Sequence, residues 1–457
     1  MSVPYRVAPQ TPGRRVSPEA PSRRGWCPSL ARPMPTGDGL LARVHPPLGR
    51  LTPAQARAVA DGARRFGNGH IDVTARANLQ VRGVTEATRC GLAERLEAAG
   101  LGDVRHDGGP QRLTLTTPLA GLEPDAGADV PALARKIEAI GLAISGLPPK
   151  TLVAVESAAG GITLGAAEAD LHLVATREGL ALHLAGDAAR WGLSGAEALV
   201  VVDAVLRLLA ASGQRRMRDV PAETRRHGLE QFGLRRVPPS FERSGPRPGV
   251  FALNSDRPAS ADPVVSRSPA DGARALLVDA PFGRCRADAL DKLADTAAAA
   301  GADGLRLSPT RGFLLVCSKV SAAETARETL AAAGFLTRAD DPRGAVAACP
   351  GAPACASGST PTLDDAARLA EAFRSFATRG LRAHVSGCAK GCAHPGAADL
   401  TLVGRHGLYD VVISGRPDAL PATHLPFEAA LERVRRADSA SSLAQIFPHP
   451  SPGPGPS

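Results

Sequence analysis

Pro47-Leu48-Gly49-Arg50 recurs as Pro281-Phe282-Gly283-Arg284, 234 residues further along the chain. Behind each tetrapeptide runs an Ala-rich stretch of helical character, TPAQARAVADGARRFG in one copy and ADALDKLADTAAAAG in the other. In the first, Thr52 predicts an N-cap and Pro53 the opening helical position. Each helix leads to a short alternating strand, Ile71-Asp72-Val73-Thr74 and Leu305-Arg306-Leu307-Ser308, again 234 apart. A second pair follows: ADLHLV at residues 169–174 matches ADLTLV at residues 398–403, an offset of 229. Both run on through a turn into another strand, ALHLAG ending at Gly186 and YDVVISG ending at Gly415. One tetrapeptide can match by chance; several in the same order at nearly one offset do not. The chain therefore reads as two halves sharing one architecture, each an a-type unit followed by a b-type unit. Helical spacing of apolar residues predicts helices at Val130–Ile144, Ala196–Ala211 and Leu363–Thr378. Strands alternate with these helices, so the class is α+β or α/β.

Composition narrows the partners. The chain has 457 residues, 54 Lys+Arg against 45 Asp+Glu, 44% hydrophobic residues and 22% charged ones. That is a globular balance, which excludes a mainly disordered chain. Only five of the basic residues are Lys, so the net charge of +9 reflects Arg enrichment and is weak evidence for nucleic acid. Aromatics at 3% provide few stacking platforms for single strands. A large anionic small molecule suits the charge equally well. No apolar run is long enough to cross a membrane; Ala198–Ala211 is broken by Asp203 and Arg207. Residues 1–24 carry Arg but no apolar core, and with residues 441–457 they read as disordered tails. Residues 214–270 read as a linker with local helix around Ala222–Phe232. The expected location is cytoplasmic, with reduced thiols.

Four of the eight cysteines cluster late, as Cys349-Pro-Gly-Ala-Pro-Ala-Cys355 and Cys388-Ala-Lys-Gly-Cys392. Small residues around them let the backbone approach an inorganic core, and four thiolates are what a [4Fe–4S] cluster needs. A structural zinc site prefers closer pairs than C-x5-C, and two disulfides need an oxidising compartment. Both alternatives stay open on spacing alone, with the cluster fitting better. Cys90, Cys285 and Cys317 read as small buried hydrophobes. Cys27, in Trp26-Cys27-Pro28, is undecided.

The segment Thr74-Ala-Arg76-Ala-Asn78-Leu79-Gln80-Val81-Arg82-Gly83 reads as a strand. Alternation then sets Arg76, Asn78, Gln80 and Arg82 on one face, with Ala77, Leu79 and Val81 on the other. Two guanidiniums and two amides without an acid suit bound carboxylates, although a solvated face is the plainer reading. Arg112 opens another strand, and Lys150 ends a Leu147-Pro-Pro loop.

These residues resemble the nitrite and sulfite reductase haemoprotein family. The C-x5-C and C-x3-C pairs, Thr74, Arg76 and Gln80 as T-x-R-x-x-x-Q, Arg112 ahead of TTPLAGLEP, and the LPxK loop at Leu147–Lys150 carry the likeness. It covers about residues 27 to 440. The resemblance implies an internally duplicated α+β fold, with ferredoxin-like units at 25–100 and 271–340. It implies α/β units at 101–213 and 341–440, the latter holding a [4Fe–4S] cluster on Cys349, Cys355, Cys388 and Cys392. In the family the last of these bridges cluster and sirohaem. Tetrapyrrole carboxylates are expected on Arg76, Asn78, Gln80, Arg82, Arg112 and Lys150. The reductases usually carry a second Lys where this chain has Leu152.

The segment RGWCPSLARPMPTGDGLLARVHPPLGRL is similar to the branch of the family in aerobic cobalamin biosynthesis, whose tetrapyrrole is substrate instead of cofactor. That likeness implies O2-dependent hydroxylation of precorrin-3A at C20 with γ-lactone formation. It further implies a mononuclear non-haem iron beside the cluster. No G-x-G-x-x-G follows a strand, so electrons are expected from an external NADH-linked donor. Sirohaem is expected only under the alternative, an assimilatory sulfite or nitrite reductase. A non-catalytic tetrapyrrole carrier is a third reading. The eleven His form no facial-triad spacing, so the iron ligands and the catalytic residues stay unassigned. The duplication predicts a monomer.

Overall fold

The computed structural model describes residues 14–17, 26–123, 126–158, 164, 169–237, 264–265, 274–437 and 441–448. Its two halves repeat each other down to the backbone. Leu48 and Phe282 both take positive φ, 50° and 55°, followed by Gly49 and Gly283 at 66° and 75°. Non-glycine residues rarely sit there, so the matched tetrapeptides encode one unusual turn twice. The helix after the first turn, Pro53–Phe66, has the expected Thr52 cap, closed by Gln55 into a capping box.

The ferredoxin-like units exchange strands. One five-stranded sheet runs Met34–Thr36, Gly39–Val44, Leu79–Val84, His70–Val73 and Arg284–Arg286. The other runs Val264–Val265, Arg274–Asp279, Gly312–Cys317, Leu305–Ser308 and Arg50–Leu51. Arg50–Leu51 leaves its own unit to pair antiparallel with Leu305–Ser308, and Arg284–Arg286 does the same on His70–Val73. The repeated Arg of the tetrapeptide thus starts each exchanged strand. The helices Pro53–Phe66 and Ala287–Ala299 pack together, and Val59, Ala63, Leu290 and Ala294 sit fully buried in one core that spans both units.

Each α/β unit has its own core and a mixed sheet. In the first, Thr114–Thr116, Val153–Ser157 and Leu171–Thr176 are parallel, and Gly179–Leu184 returns antiparallel. In the second, Val346–Ala348, Ala383–Ser386 and Ala398–Arg405 are parallel, and Leu408–Gly415 returns. The repeated Ala-Asp-Leu motif has one job in both. Asp170 Oδ2 accepts from Leu152 N at 3.0 Å, and Asp399 Oδ2 accepts from Arg382 N at 2.7 Å. Each carboxylate satisfies the amide just ahead of the neighbouring strand, a donor that would otherwise be orphaned.

Four expectations need correction. Residues 214–237 are packed chain: the helix Ala222–Glu230 lies there, Arg235–Val237 adds an edge strand to the first α/β sheet, and Met217, Val220 and Leu229 fill its core. The helix lies where local helix was expected; the edge strand and the core packing were not foreseen, because apolar spacing in the stretch is too sparse to show them. The ends are not wholly tails. Leu443 and Phe447 are buried in the second α/β core. Arg14 pairs with Asp365 at 2.9 Å, and Arg15 N donates to Ser359 O. Within the expected linker, Val264–Val265 is also a strand, paired with Arg274–Asp279; the rest of both tails and of that linker lies outside the described residues. The basic segment is not all strand. Thr74–Asn78 forms a turn with Ala77 at φ 51°, and the strand proper is Leu79–Val84. Arg76 therefore sits on the turn. Cys285 and Cys317 are buried as expected, while Cys90 is exposed.

Candidate active site

The turn Thr74–Asn78 and the strand Gly39–Val44 form one wall of a cavity of about 460 Å³, a size typical of ligand sites. Arg32, Arg43, Arg76, Arg105 and Arg112 line it, with Asn78, His45, Trp26 and Cys27. Two of the arginines are aimed by backbone carbonyls. Arg112 Nη1 donates to Pro46 O at 3.0 Å and Nη2 to Arg76 O, while Arg76 Nη1 donates to Lys150 O at 3.1 Å. Burial lowers Arg112 to about 10, with Arg76 adding to the fall and Glu138 opposing it, so it stays charged near neutrality. Gln80, oriented with its amide oxygen toward Arg43, accepts from Nη2 at 2.7 Å and Nε at 3.1 Å. It positions Arg43. His45 is held well below the usual imidazole range by burial and by Arg43 and Arg112, so it faces the cavity neutral. Asn78 is 6% exposed and its Oδ1 has no partner, an orphaned acceptor on the cavity wall. Arg105 is paired with Asp107, and that bond drives the Asp107 carboxyl down to about 2.

The fate of the predicted row is therefore mixed. Arg76, Asn78 and Arg112 reach the cavity. Gln80 acts through Arg43. Arg82 is spent elsewhere: it is 2% exposed and bonds Asp38 at 2.6 and 2.9 Å, Asp72 at 3.2 Å and Ala354 O at 2.6 Å. Four of its five N–H groups are engaged and the side chain is buried, so it does not serve the cavity; alternation alone does not show which donors the fold consumes. Lys150 is exposed, and its carbonyl, not its ammonium, is the group engaged with Arg76. Sequence reasoning missed Arg32, Arg43, His45 and Arg105. Arg43 and His45 had a signal: they alternate with buried Ala42 and Val44.

The four late cysteines converge across two loops. Cys349 and Cys388 follow the parallel strands Val346–Ala348 and Ala383–Ser386. Gly387 N donates to Cys349 Sγ at 3.2 Å. A Cβ on Gly387 would lie 3.2 Å from the Cα atoms of Gly351 and Gly358 and 3.6 Å from Cys349 Sγ, so any larger residue would crowd this cradle. Cys392 is solvent-exposed on its loop, but crowding by protein and by Cys349, Cys388 and Cys355 pushes its thiol up to about 11. Burial raises Cys388 as well, with Cys349 and Cys355 adding to it. Thiols that feel one another this way lose their protons on binding a positively charged core. Among the described residues no three His, Cys, Asp or Glu side chains are close enough for one metal ion. The thiols suit a four-iron cluster, in which each binds a different iron. The mononuclear iron finds no ligand set among the described residues.

The cavity and the cysteine loops are joined by one strand. Asn78 precedes Leu79–Val84 at the cavity, and Arg82 further along it grips Ala354 O beside Cys355. Gly37 N donates to the same carbonyl at 3.1 Å.

This architecture is that of the nitrite and sulfite reductases. Residues 32–99 match the nitrite/sulfite reductase ferredoxin-like half domain. The NirA protein of Mycobacterium tuberculosis superposes with a TM-score of 0.61 at 20% identity, over 89% of this chain and 83% of that one, which speaks to the fold. A ferredoxin–nitrite reductase of Leptolyngbya laminosa is 33% identical, but over only 25% of this chain and 23% of its own length. A precorrin-3B synthase of a Sinorhizobium species is 36% identical over 419 residues, 89% of this chain and 86% of its own length. The chain belongs to the precorrin-3B synthase family, within the nitrite/sulfite reductase fold. Among the described residues no helix is long and apolar enough to cross a membrane.

Proposed function

We propose that the chain hydroxylates precorrin-3A at C20 and closes a γ-lactone from the ring A acetate. One oxygen atom of O2 enters the product and the other leaves as water. Two electrons are supplied by an external NADH-linked donor, with two protons from solvent. The observation that carries this reading is the basic cavity, set one strand away from the cysteine loops in a chain so similar to a precorrin-3B synthase. Leu152 on the cavity wall supports a tetrapyrrole substrate over sulfite or nitrite, because an apolar side chain there gives a small anion nothing to bind.

Arg32, Arg43, Arg76 and Arg112 hold the substrate's carboxylates through charge-assisted hydrogen bonds. Asn78 Oδ1 accepts from a pyrrole N–H, satisfying an acceptor that otherwise stays buried and unpaired. His45 presents a neutral ring beside these cations and adds no further positive charge. Cys349, Cys355, Cys388 and Cys392 would hold a [4Fe–4S] cluster, which supplies single electrons to the cavity. Arg82 keeps the Cys355 loop in register with the cavity wall.

The test is anaerobic purification with iron and sulfide analysis, followed by precorrin-3A, O2 and an NADH-linked reductase. The expected product is heavier than precorrin-3A by one oxygen atom, and Cys349→Ser abolishes it. Full turnover by that variant overturns the cluster assignment. Sirohaem in the purified protein, with sulfite or nitrite turnover, replaces the reading with the reductase one.

A further inference from the structure

Three arginines close on the cysteine loops, each from a different part of the chain. Arg82, from the first ferredoxin-like unit, donates to Ala354 O and is neutralised by Asp38 and Asp72. The other two differ. Arg15, from the N-terminal stretch, donates through Nε to Gly358 O at 2.8 Å and through Nη2 to Cys355 O. Arg311, from the second ferredoxin-like unit, donates to Ala393 O at 2.9 Å and Cys392 O at 3.4 Å. Among the described residues neither has a carboxylate in hydrogen-bond or ion-pair contact. Each cysteine loop therefore carries a guanidinium bonded only to carbonyls.

Arg311 is held there with effort. It occupies the position matching Ala77, 234 residues on, and keeps the same positive φ, here 68°. A bulky side chain rarely accepts that conformation without compensation. Its Cδ crosses close to Gly283, where a Cβ would come within 2.8 Å. The groups that would act on it through space once ionised are Asp72, Cys349 and Cys392. Asp72 is itself engaged by Arg284 at 2.6 Å and by Arg82. What remains is the cysteine site. Neutral thiols give a cation no return for its lost hydration, whereas an anionic cluster does.

We propose that Arg15 and Arg311 supply counter-charge to the cluster from outside its two cysteine loops, in addition to Lys390 between Cys388 and Cys392, and that together they hold its reduction potential up. The inference rests on the cluster reading above. Reduction adds an electron to a core that is already anionic with its four thiolates. A fixed cation nearby favours the reduced form, and net charge around a cluster is one of the levers that set its potential. Arg15 and Arg311 are positioning residues: they act through the loops and the field, without touching substrate.

The experiment is a potentiometric titration of the anaerobic holoenzyme followed by electron paramagnetic resonance, with iron and sulfide counted in each sample. Arg15→Met and Arg311→Met remove the charge at similar length; Arg15→Lys and Arg311→Lys keep it. Each methionine variant is expected to titrate at a more negative potential than the wild type, the double variant lower still, and the lysine variants close to wild type. Loss of the cluster from the methionine variants alone also supports the proposal. Fully loaded methionine variants that titrate with the wild type overturn it. So do lysine variants that shift or lose the cluster as much as methionine, because carbonyl clamping would then be the role. A wild type that takes up no iron and sulfide defeats the cluster reading itself, which is a different failure.

Discussion

Arg112→Leu is the perturbation that separates a substrate-binding arginine from one that merely faces the cavity. Arg112 is oriented by the carbonyls of Pro46 and Arg76, and no carboxylate neutralises it within hydrogen-bonding distance among the described residues. Losing a hydrogen bond to a charged group costs about 1.5–3 kcal/mol, so affinity should fall roughly ten- to a hundredfold. Arg105 lines the same cavity, but Asp107 already accepts from its Nε at 2.7 Å and cancels much of its field. Arg105→Leu should therefore weaken binding by only a fewfold. The assay is fluorescence titration with an octacarboxylate porphyrin at low salt, repeated at higher salt, where the gap between the variants should narrow as screening grows. Thermal unfolding accompanies it, because Arg112→Leu also strips a donor from two carbonyls and should cost about 1–3 kcal/mol of stability. Arg112→Lys, which keeps charge but not the fork, should fall between. Equal losses for Arg112→Leu and Arg105→Leu would refute the idea that unpaired guanidinium charge binds the ligand.

Gly387→Ala should deplete iron and sulfide, since its Cβ would press on Gly351 and Gly358, whereas Gly195→Ala, with open space around it, should load normally. Equal loading of the two would show that the cradle is not tight. Asp170→Ala should destabilise the first α/β unit by about 3–5 kcal/mol in urea unfolding, because a fully buried carboxylate bonded to Arg216, Leu152 N and Met217 N is removed. His384 is buried, with its ring held neutral down to about 3, first by burial and then by His394 and Arg311. An ordinary imidazole in the unfolded chain protonates near 6.5. Stability should thus be intact above that value and fall by about 1.4 kcal/mol per pH unit as pH drops toward 3. His384→Leu should flatten that slope; an unchanged slope in urea melts across the range would exclude His384 as its source.

The duplication and the cysteine pairs were legible in the linear chain because both are matters of spacing. Matched tetrapeptides carry one turn geometry, as Leu48 and Phe282 show with their shared positive φ. Thr52 and Pro53 capped their helix for purely local reasons. The strand Leu305–Ser308 emerged where alternation placed it. Residues 214–237 were read too loosely, since their few apolar side chains find partners only on a distant sheet.

Which arginines serve the cavity was decided in three dimensions. Arg76 and Arg82 look equivalent in the chain, six residues apart with the same charge. Folding brings Asp38, Asp72 and the Ala354 carbonyl around Arg82 and consumes it, while Arg76 on the turn keeps its place in the cavity wall. The exchange of Arg50–Leu51 and Arg284–Arg286 between sheets is invisible to any local pattern, because each strand pairs with one more than 200 residues away. Local sequence determines turns, caps and the chemistry of a motif. Which side chains reach the cavity depends on where the tertiary structure sets them, since spacing along the chain does not say what folds against each guanidinium.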